Sequence, residues 1–387
     1  MLKKKIAALT AVAMLATGLL AGCGGSQETA TKAESDVIKI GVYEPLTGMN
    51  AAGGEMTVDG IKLANKLFPT VLGKKVELDI VDNKSEKQEA ANAVERLVND
   101  NVNVIIGSYG SSLAMAGGPV AKDAGIPVIG CSPTNPAVTL GNDYYFRVCF
   151  IDPFQGTVMA KYAVETLHAK TAAIIQDVQQ DYSVGLNNYF EKSFKQLTKN
   201  ENAIVAKVNY NTGDKDFSAQ LTEVKSKNPD VIFAPGNFTE CGILVEKARE
   251  MGITAPILGG DTWESDVFLN RVGNLKDIYF STHFTAEEPV TDVSKTFIDE
   301  YAKAYPDKMV NAFAALGFDA YKLAIDAIER ANSTDPEAIK EALAQTSGFK
   351  GATGIITLDA NRDAVKTAIV KSVENGKFVY KTKVDPQ

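Results

Sequence analysis

The chain has 387 residues and a formal net charge of −8, with 45% hydrophobic and 23% charged residues. That balance is globular and speaks against disorder or a fibrous repeat, and at roughly 150 residues per domain the length suggests two domains or more. So acidic a chain, with no long basic run, is a poor partner for nucleic acid, and two histidines with four cysteines leave little for a zinc site or a disulfide framework.

Residues 1–22 carry Lys3, Lys4 and Lys5, then an uncharged run from Ile6 to Leu20, then small residues up to Cys23. This is the layout of a secretory signal peptide, too short in its apolar part for a stable membrane span. The ending LLAGC resembles a bacterial lipobox, in which Cys23 would be lipidated, as by palmitate, and become the new N-terminus. Cleavage there removes three lysines and no acid, so the mature charge becomes −11. Residues 23–36 are small and polar and read as a flexible tether. The expected location is therefore the cell envelope, outside the cytoplasm, with the body held to a membrane by lipid.

The body alternates strand and helix. Strands are expected at 37–43, 76–82, 102–108 and 127–131, with helices over 54–68, 85–100 and 112–124. A second series follows Pro153: helix 154–169, strand 171–177, helix 184–198, strand 203–210, helix 217–227, strand 230–235, helix 240–251 and strand 256–259. Strand 278–284, helices over 293–305, 312–331 and 336–345, and strands near 355–358, 368–374 and 377–381 complete the chain. Alternation of this kind implies parallel sheets with helices on both faces. NVIIGSYGSSLAM…AGIPVIGCSPTNP is echoed by DVIFAPGNFTECG…MGITAPILGGDTWE, with Val104 and Val231 127 positions apart and Pro127 and Pro256 129 apart. Two doubly wound α/β lobes would follow, with ligands at the carboxyl ends of their strands.

The segments VIKIGVYEPLTG, VIIGSYGSS, IPVIGCSPTNPAVT, YYFRVCFIDPFQG and PILGGDTW, in that order, resemble the type I periplasmic-binding-protein fold. The nearest branch looks like the Leu/Ile/Val-binding lipoproteins of ABC importers. The resemblance covers about residues 37–384. It implies two Rossmann-like lobes, 37–152 plus 283–352 and 153–282 plus 353–387. They would be joined by a three-segment hinge near 151–155, 281–284 and 351–354. It implies a monomer that closes on an amino acid, branched-chain or otherwise apolar or aromatic, and delivers it to a membrane permease. A lipoprotein that senses an amino acid, amide or small carboxylate and signals to a receptor is the alternative.

A zwitterion needs two opposite poles, each hydrogen-bonded, because desolvating either one unpaired costs several kcal/mol, about 2–7 for a polar group and more for a charge. For the carboxylate, Ser111 and Ser112 lie between a strand end and a helix start, where backbone N–H groups favour an anion; a simple helix cap is the alternative. The resemblance adds Ser132, through its carbonyl, and Thr134, against a turn fixed for its own shape. For the ammonium it gives Asp261, after two glycines, against a capping role. Tyr182 would lie over the ligand backbone. Asn237 and Phe238 fall where the branch carries a tyrosine, which leaves that contact open. Trp263, Phe313 and Tyr109 are candidates for side-chain specificity, although aromatics at such spacing are more often core. Gly53 and Gly54, where the branch has another tyrosine, would open the pocket or let backbone approach, for a ligand bulkier than leucine or different in kind.

No nucleophile elbow, phosphate loop or dinucleotide fingerprint appears, and His168 and His283 are far apart in sequence, neither near a Cys pair or an acidic doublet suited to a metal. An enzyme, a metal site and a cofactor are not expected. Cys131 and Cys149 would end neighbouring strands and either pair or stay as buried thiols.

Overall fold

A computed structural model of the chain describes residues 36–386. The leader, Cys23 and nearly all of the tether lie outside them.

Three sheets form. The first contains β1 (Val37–Glu44), β2 (Thr70–Val71), β3 (Lys74–Asp82), β4 (Val104–Gly107), β5 (Val128–Gly130) and β6 (Tyr145–Arg147), in the order β2-β3-β1-β4-β5-β6. The second contains β7 (Ala172–Asp177), β8 (Ile204–Tyr210), β9 (Val231–Phe233), β10 (Ile257–Gly259) and β11 (Ile278–Thr282). After a small sheet of β12 (Phe349–Gly351), β13 (Gly354–Leu358) and β14 (Ala364–Val365), the chain returns to the second sheet as β15 (Ala368–Glu374) and β16 (Lys377–Val384). The second sheet then runs β16-β15-β11-β10-β9-β7-β8.

The helices are α1 (Ala51–Leu67), α2 (Lys87–Asn99), α3 (Ser111–Asp123), α4 (Asp152–Lys161), α5 (Asp181–Thr198), α6 (Ser218–Lys227), α7 (Phe238–Glu250), α8 (Asp266–Val272), α9 (Asp292–Ala304), α10 (Ala312–Ala331) and α11 (Pro336–Ala344).

The sequence echo is a topological one. β3-β1-β4-β5-β6 and β8-β7-β9-β10-β11 are both wholly parallel and share one winding order, in which the first strand of each series lies between the second and the third. The connections reverse direction beside β1 and beside β7, and such switch points open crevices at the strands' carboxyl ends. Central strands are continuous apolar runs because both faces are covered: all of β4, β7, β9 and β10 is buried. Edge strands differ. β16 alternates lysines with half-buried residues and stays partly wet.

α10 lies almost wholly inside, against α1. Two glycines set how close they come. A Cβ on Gly60 would fall 1.8 Å from the Ala314 carbonyl oxygen, and one on Gly317 would fall 2.2 Å from that of Thr57. The two backbones are in direct contact there.

The chain passes between the halves three times, at 148–151, at 283–291 and at 366–367. Segment 351–354, expected as the third crossing, is instead the turn between β12 and β13. Its two glycines close a hairpin and do not mark a linker. The short β2, β6, β12, β14 and α8 were not foreseen as elements; strands of two or three residues and a seven-residue helix carry too little periodicity to be seen.

Candidate functional site

Loops at the carboxyl ends of both sheets meet over one cavity of about 420 Å³, counting the open solvent at its mouth. From the first half come Asn50, before α1; Tyr109, Gly110 and Ser111, between β4 and α3; and Ser132, after β5. From the second come Gln180 and Tyr182, between β7 and the first turn of α5; Asn237, after β9; and Asp261 and Thr262, after β10.

Ser111 opens a 13-residue helix whose first-turn N–H groups face this end, and its hydroxyl accepts the Asn135 N–H at 3.1 Å. Gly110 precedes it with φ +91°, a backbone turn that L side chains rarely adopt. Ser132 is buried, and its hydroxyl has no protein partner among the described residues. The turn beyond it is held by Arg147 of β6, fully buried, whose guanidinium donates to the carbonyls of Pro133 at 2.6 Å and Asn135 at 2.8 Å, to Asp363 at 2.6 Å and to the Thr139 hydroxyl at 3.0 Å.

On the other side Asp261 is 1% exposed. Its Oδ1 accepts from Gln155 Nε2 and from the Tyr182 hydroxyl, each at 2.8 Å, and its Oδ2 faces His283 Nε2 at 3.2 Å. Burial pulls the His283 pKa below its usual value although Asp261 opposes this, so the ring is neutral at neutral pH. Among the described residues, then, Asp261 is surrounded by neutral donors and meets no full positive charge. Gln155 lies in the first turn of α4, just after the first passage between the halves, and His283 opens the second, which ties this carboxylate to the hinge.

Several bonds already span the cleft. Asn237 caps α7 by accepting the Phe238 N–H and donates its Nδ2 to the Met49 carbonyl at 3.1 Å. Asp181 takes the Ser112 hydroxyl at 2.8 Å and Lys87 Nζ at 3.1 Å, while Asn135 Nδ2 reaches the Asp181 carbonyl at 2.9 Å.

Of the residues nominated from sequence, Tyr109, Ser111, Ser132, Tyr182, Asn237 and Asp261 line the cavity. Ser112 is next to it but serves the Asp181 contact. Thr134 is fully buried beside Asp152, whose N–H its carbonyl accepts at 2.9 Å. Trp263 lies in the core, stacked on Phe268 at 4.6 Å, and Phe238 and Phe313 are core too. Phe313 reaches the site only by backing the Tyr109 ring, edge-on at 5.1 Å. Gly53 and Gly54 do not enlarge the pocket. The Tyr109 ring would lie 2.4 Å from a Cβ on Gly53, and the Pro45 carbonyl 2.0 Å from one on Gly54, so both glycines are demanded by close packing. Asn50, Gln180, Thr262, Gln155 and His283 were missed. Gln180 and Thr262 adjoin nominated residues and follow strand ends, a signal that could have found them; nothing local marks Gln155 or His283.

Cys131, Cys149 and Cys241 are free and buried, and burial pushes the Cys149 thiol up to about 12. Among the described residues no group of His, Cys, Asp and Glu could hold a metal ion, and no helix is long and apolar enough to cross a membrane.

Asp152 opens α4 behind the site with no solvent exposure, and burial raises its pKa to about 8, against a slight lowering by the Thr134 hydroxyl beside it; the Asp261 charge adds to the rise. The folded protein therefore holds a proton there that the unfolded chain releases near pH 4. Stability from this group is full below pH 4 and is lost as pH rises towards 8, at most a few kcal/mol at about 1.4 kcal/mol per unit. Asp152→Asn should flatten that slope in urea melts taken between pH 4 and 8. An unchanged slope would place the proton elsewhere.

The family model described as periplasmic binding protein matches residues 37–377. A Leu/Ile/Val-binding protein of Rhizobium johnstonii is 30% identical over 351 residues, 88% of this chain and 93% of its own. A leucine-, isoleucine-, valine-, threonine- and alanine-binding protein of Pseudomonas aeruginosa is 28% identical over 85% of this chain and 87% of its own. Among solved structures, a leucine-binding protein of Thermotoga maritima is 40% identical with a TM-score of 0.86, covering 90% of this chain and 99% of its own. A branched-chain amino acid transporter substrate-binding protein of Streptococcus pneumoniae, in complex with isoleucine, is 35% identical with a TM-score of 0.84, covering 90% of this chain and all of its own.

Proposed function

The chain belongs to the periplasmic binding protein family, and from that premise we propose that it captures an α-amino acid between its halves and hands it to the permease of an ABC importer. One observation carries this reading: a single cleft has an anion-favouring helix start with serines on one wall and a buried, cation-free carboxylate on the other. The ligand carboxylate would meet the Ser111 hydroxyl, the first N–H groups of α3 and the Ser132 turn. Its ammonium would meet Asp261, with Tyr182 beside it. A charge-assisted bond of this kind is roughly twice as strong as a neutral one.

Because the two poles sit on different halves, only the closed arrangement satisfies both, and the ligand stabilises closure through that difference. Moving such an equilibrium from 1:99 to 99:1 takes ~5.5 kcal/mol of differential affinity, which the contacts made only on closure would have to supply. The permease would read the closed surface. The relatives named for leucine, isoleucine, valine, threonine and alanine support an amino acid as cargo. The family works outside the cytoplasm, and the lipobox-like LLAGC supports lipidation at Cys23 as the anchor.

A thermal-shift screen of the mature protein against the amino acids tests this. Stabilisation by at least one zwitterion is expected, and none by its amide or decarboxylated analogue. If no amino acid raises the melting temperature, the reading is wrong.

A further inference from the structure

Away from the cleft, the second and third passages between the halves enclose a separate cavity of about 970 Å³, its open mouth included. Phe284 and Val290 line it from the passage after β11, Ile355 from β13, Val365 and Lys366 from the passage into β15. Surface aliphatics are normally scattered singly. Here Val290, Ile355 and Val365, 58%, 57% and 46% exposed, gather on this one cavity, three of the large apolar side chains left exposed among the described residues.

At its inner end the chemistry changes. Lys366 is 3% exposed. Its ammonium donates to two neutral oxygens, the Val148 carbonyl at 3.5 Å and the Thr353 hydroxyl. Asp319, the buried acid that acts on it electrostatically, spends its oxygens on the Ala352 and Thr353 N–H groups and the Thr353 hydroxyl. Among the described residues Lys366 makes no ion pair within 4.0 Å. Burial accordingly pulls its pKa down to about 8. A buried cation without an adjacent counter-charge is costly, and a carboxylate brought to it removes that cost. The rim carries Lys383 and Glu288, one charge of each sign, so it sets no preference of its own.

We propose that the hinge holds a second small-molecule site, for an apolar monocarboxylic acid whose carboxylate pairs with Lys366 while its hydrocarbon covers Val290, Ile355 and Val365. An apolar wall with one convergent charged group is the usual make-up of a small-molecule pocket. His283 lines this cavity and also bonds Asp261 of the cleft.

Calorimetry of the mature protein at pH 7 with octanoate, octanol and octylamine tests the site. Octanoate should bind at least tenfold more tightly than either control, and Lys366→Met should weaken it at least tenfold. Val290→Asp, at a largely exposed position, should do the same with the melting temperature unchanged. Octanol binding as well as octanoate, octanoate not binding at all, or Val290→Asp keeping full affinity would each overturn the proposal. The last outcome would mean that the acid sits in the cleft or on the other side of the 364–367 strand.

Discussion

Asp261→Ala is expected to weaken binding of any amine-bearing ligand sharply, with affinity falling by about 30-fold to 5,000-fold. The carboxylate is the full negative charge among the cavity's lining residues, and its present partners, Gln155, Tyr182 and His283, are neutral. A buried ammonium deprived of its counter-charge loses about 2–5 kcal/mol or more, much of it the cost of leaving the charge unpaired. Asp261→Asn separates charge from shape. It keeps the volume and one acceptor for the Gln155 and Tyr182 donors but cancels the charge. The Asn variant should melt near the parent and still bind at least a hundredfold more weakly by calorimetry. Parent-like affinity in the Asn variant would remove Asp261 from ligand recognition.

Arg147→Met should carry the largest stability loss. The guanidinium is fully buried and makes four hydrogen bonds, two to carbonyls of the Ser132–Asn135 turn and one to Asp363. Breaking a buried pair from one side costs about 3–5 kcal/mol, because the remaining charge stays buried and alone. Urea melts should show that drop, and the ligand's affinity should fall as well, since Ser132 depends on the turn. Arg147→Lys should not rescue either property, because a point charge cannot replace a planar fork bonded on three sides. Adding Asp363→Leu to Arg147→Met should recover part of the lost stability. If the double variant were worse than the single one, Asp363 would have a role besides pairing.

Much of the fold was legible because it rests on repetition and on period. Short, β-branched apolar runs such as VIIG and AAII, set between helical segments, read as central strands of a covered sheet, and the echo between the two series reported a shared winding order. Ser111 and Asp261 were legible through the resemblance and through their place after strands. Trp263 was misread because sequence proximity to Asp261 says nothing of direction: one 3-10 turn separates the two, and it sends the indole into the core. Gly53 stood open between pocket space and close approach, because a missing side chain looks like space until the residue filling it, Tyr109 from another loop, is seen. Gln155 and His283 carry no local signature, and only the tertiary meeting of two chain passages gives them a shared partner.

The contact between α1 and α10 has a consequence for how this molecule comes into being. Gly60 and Gly317 are 257 positions apart, and each backbone is seated on the other. The N-terminal sheet thus lacks one of its covering layers until more than three-quarters of the polypeptide has emerged from the ribosome. Contacts so remote along the chain form late and slowly.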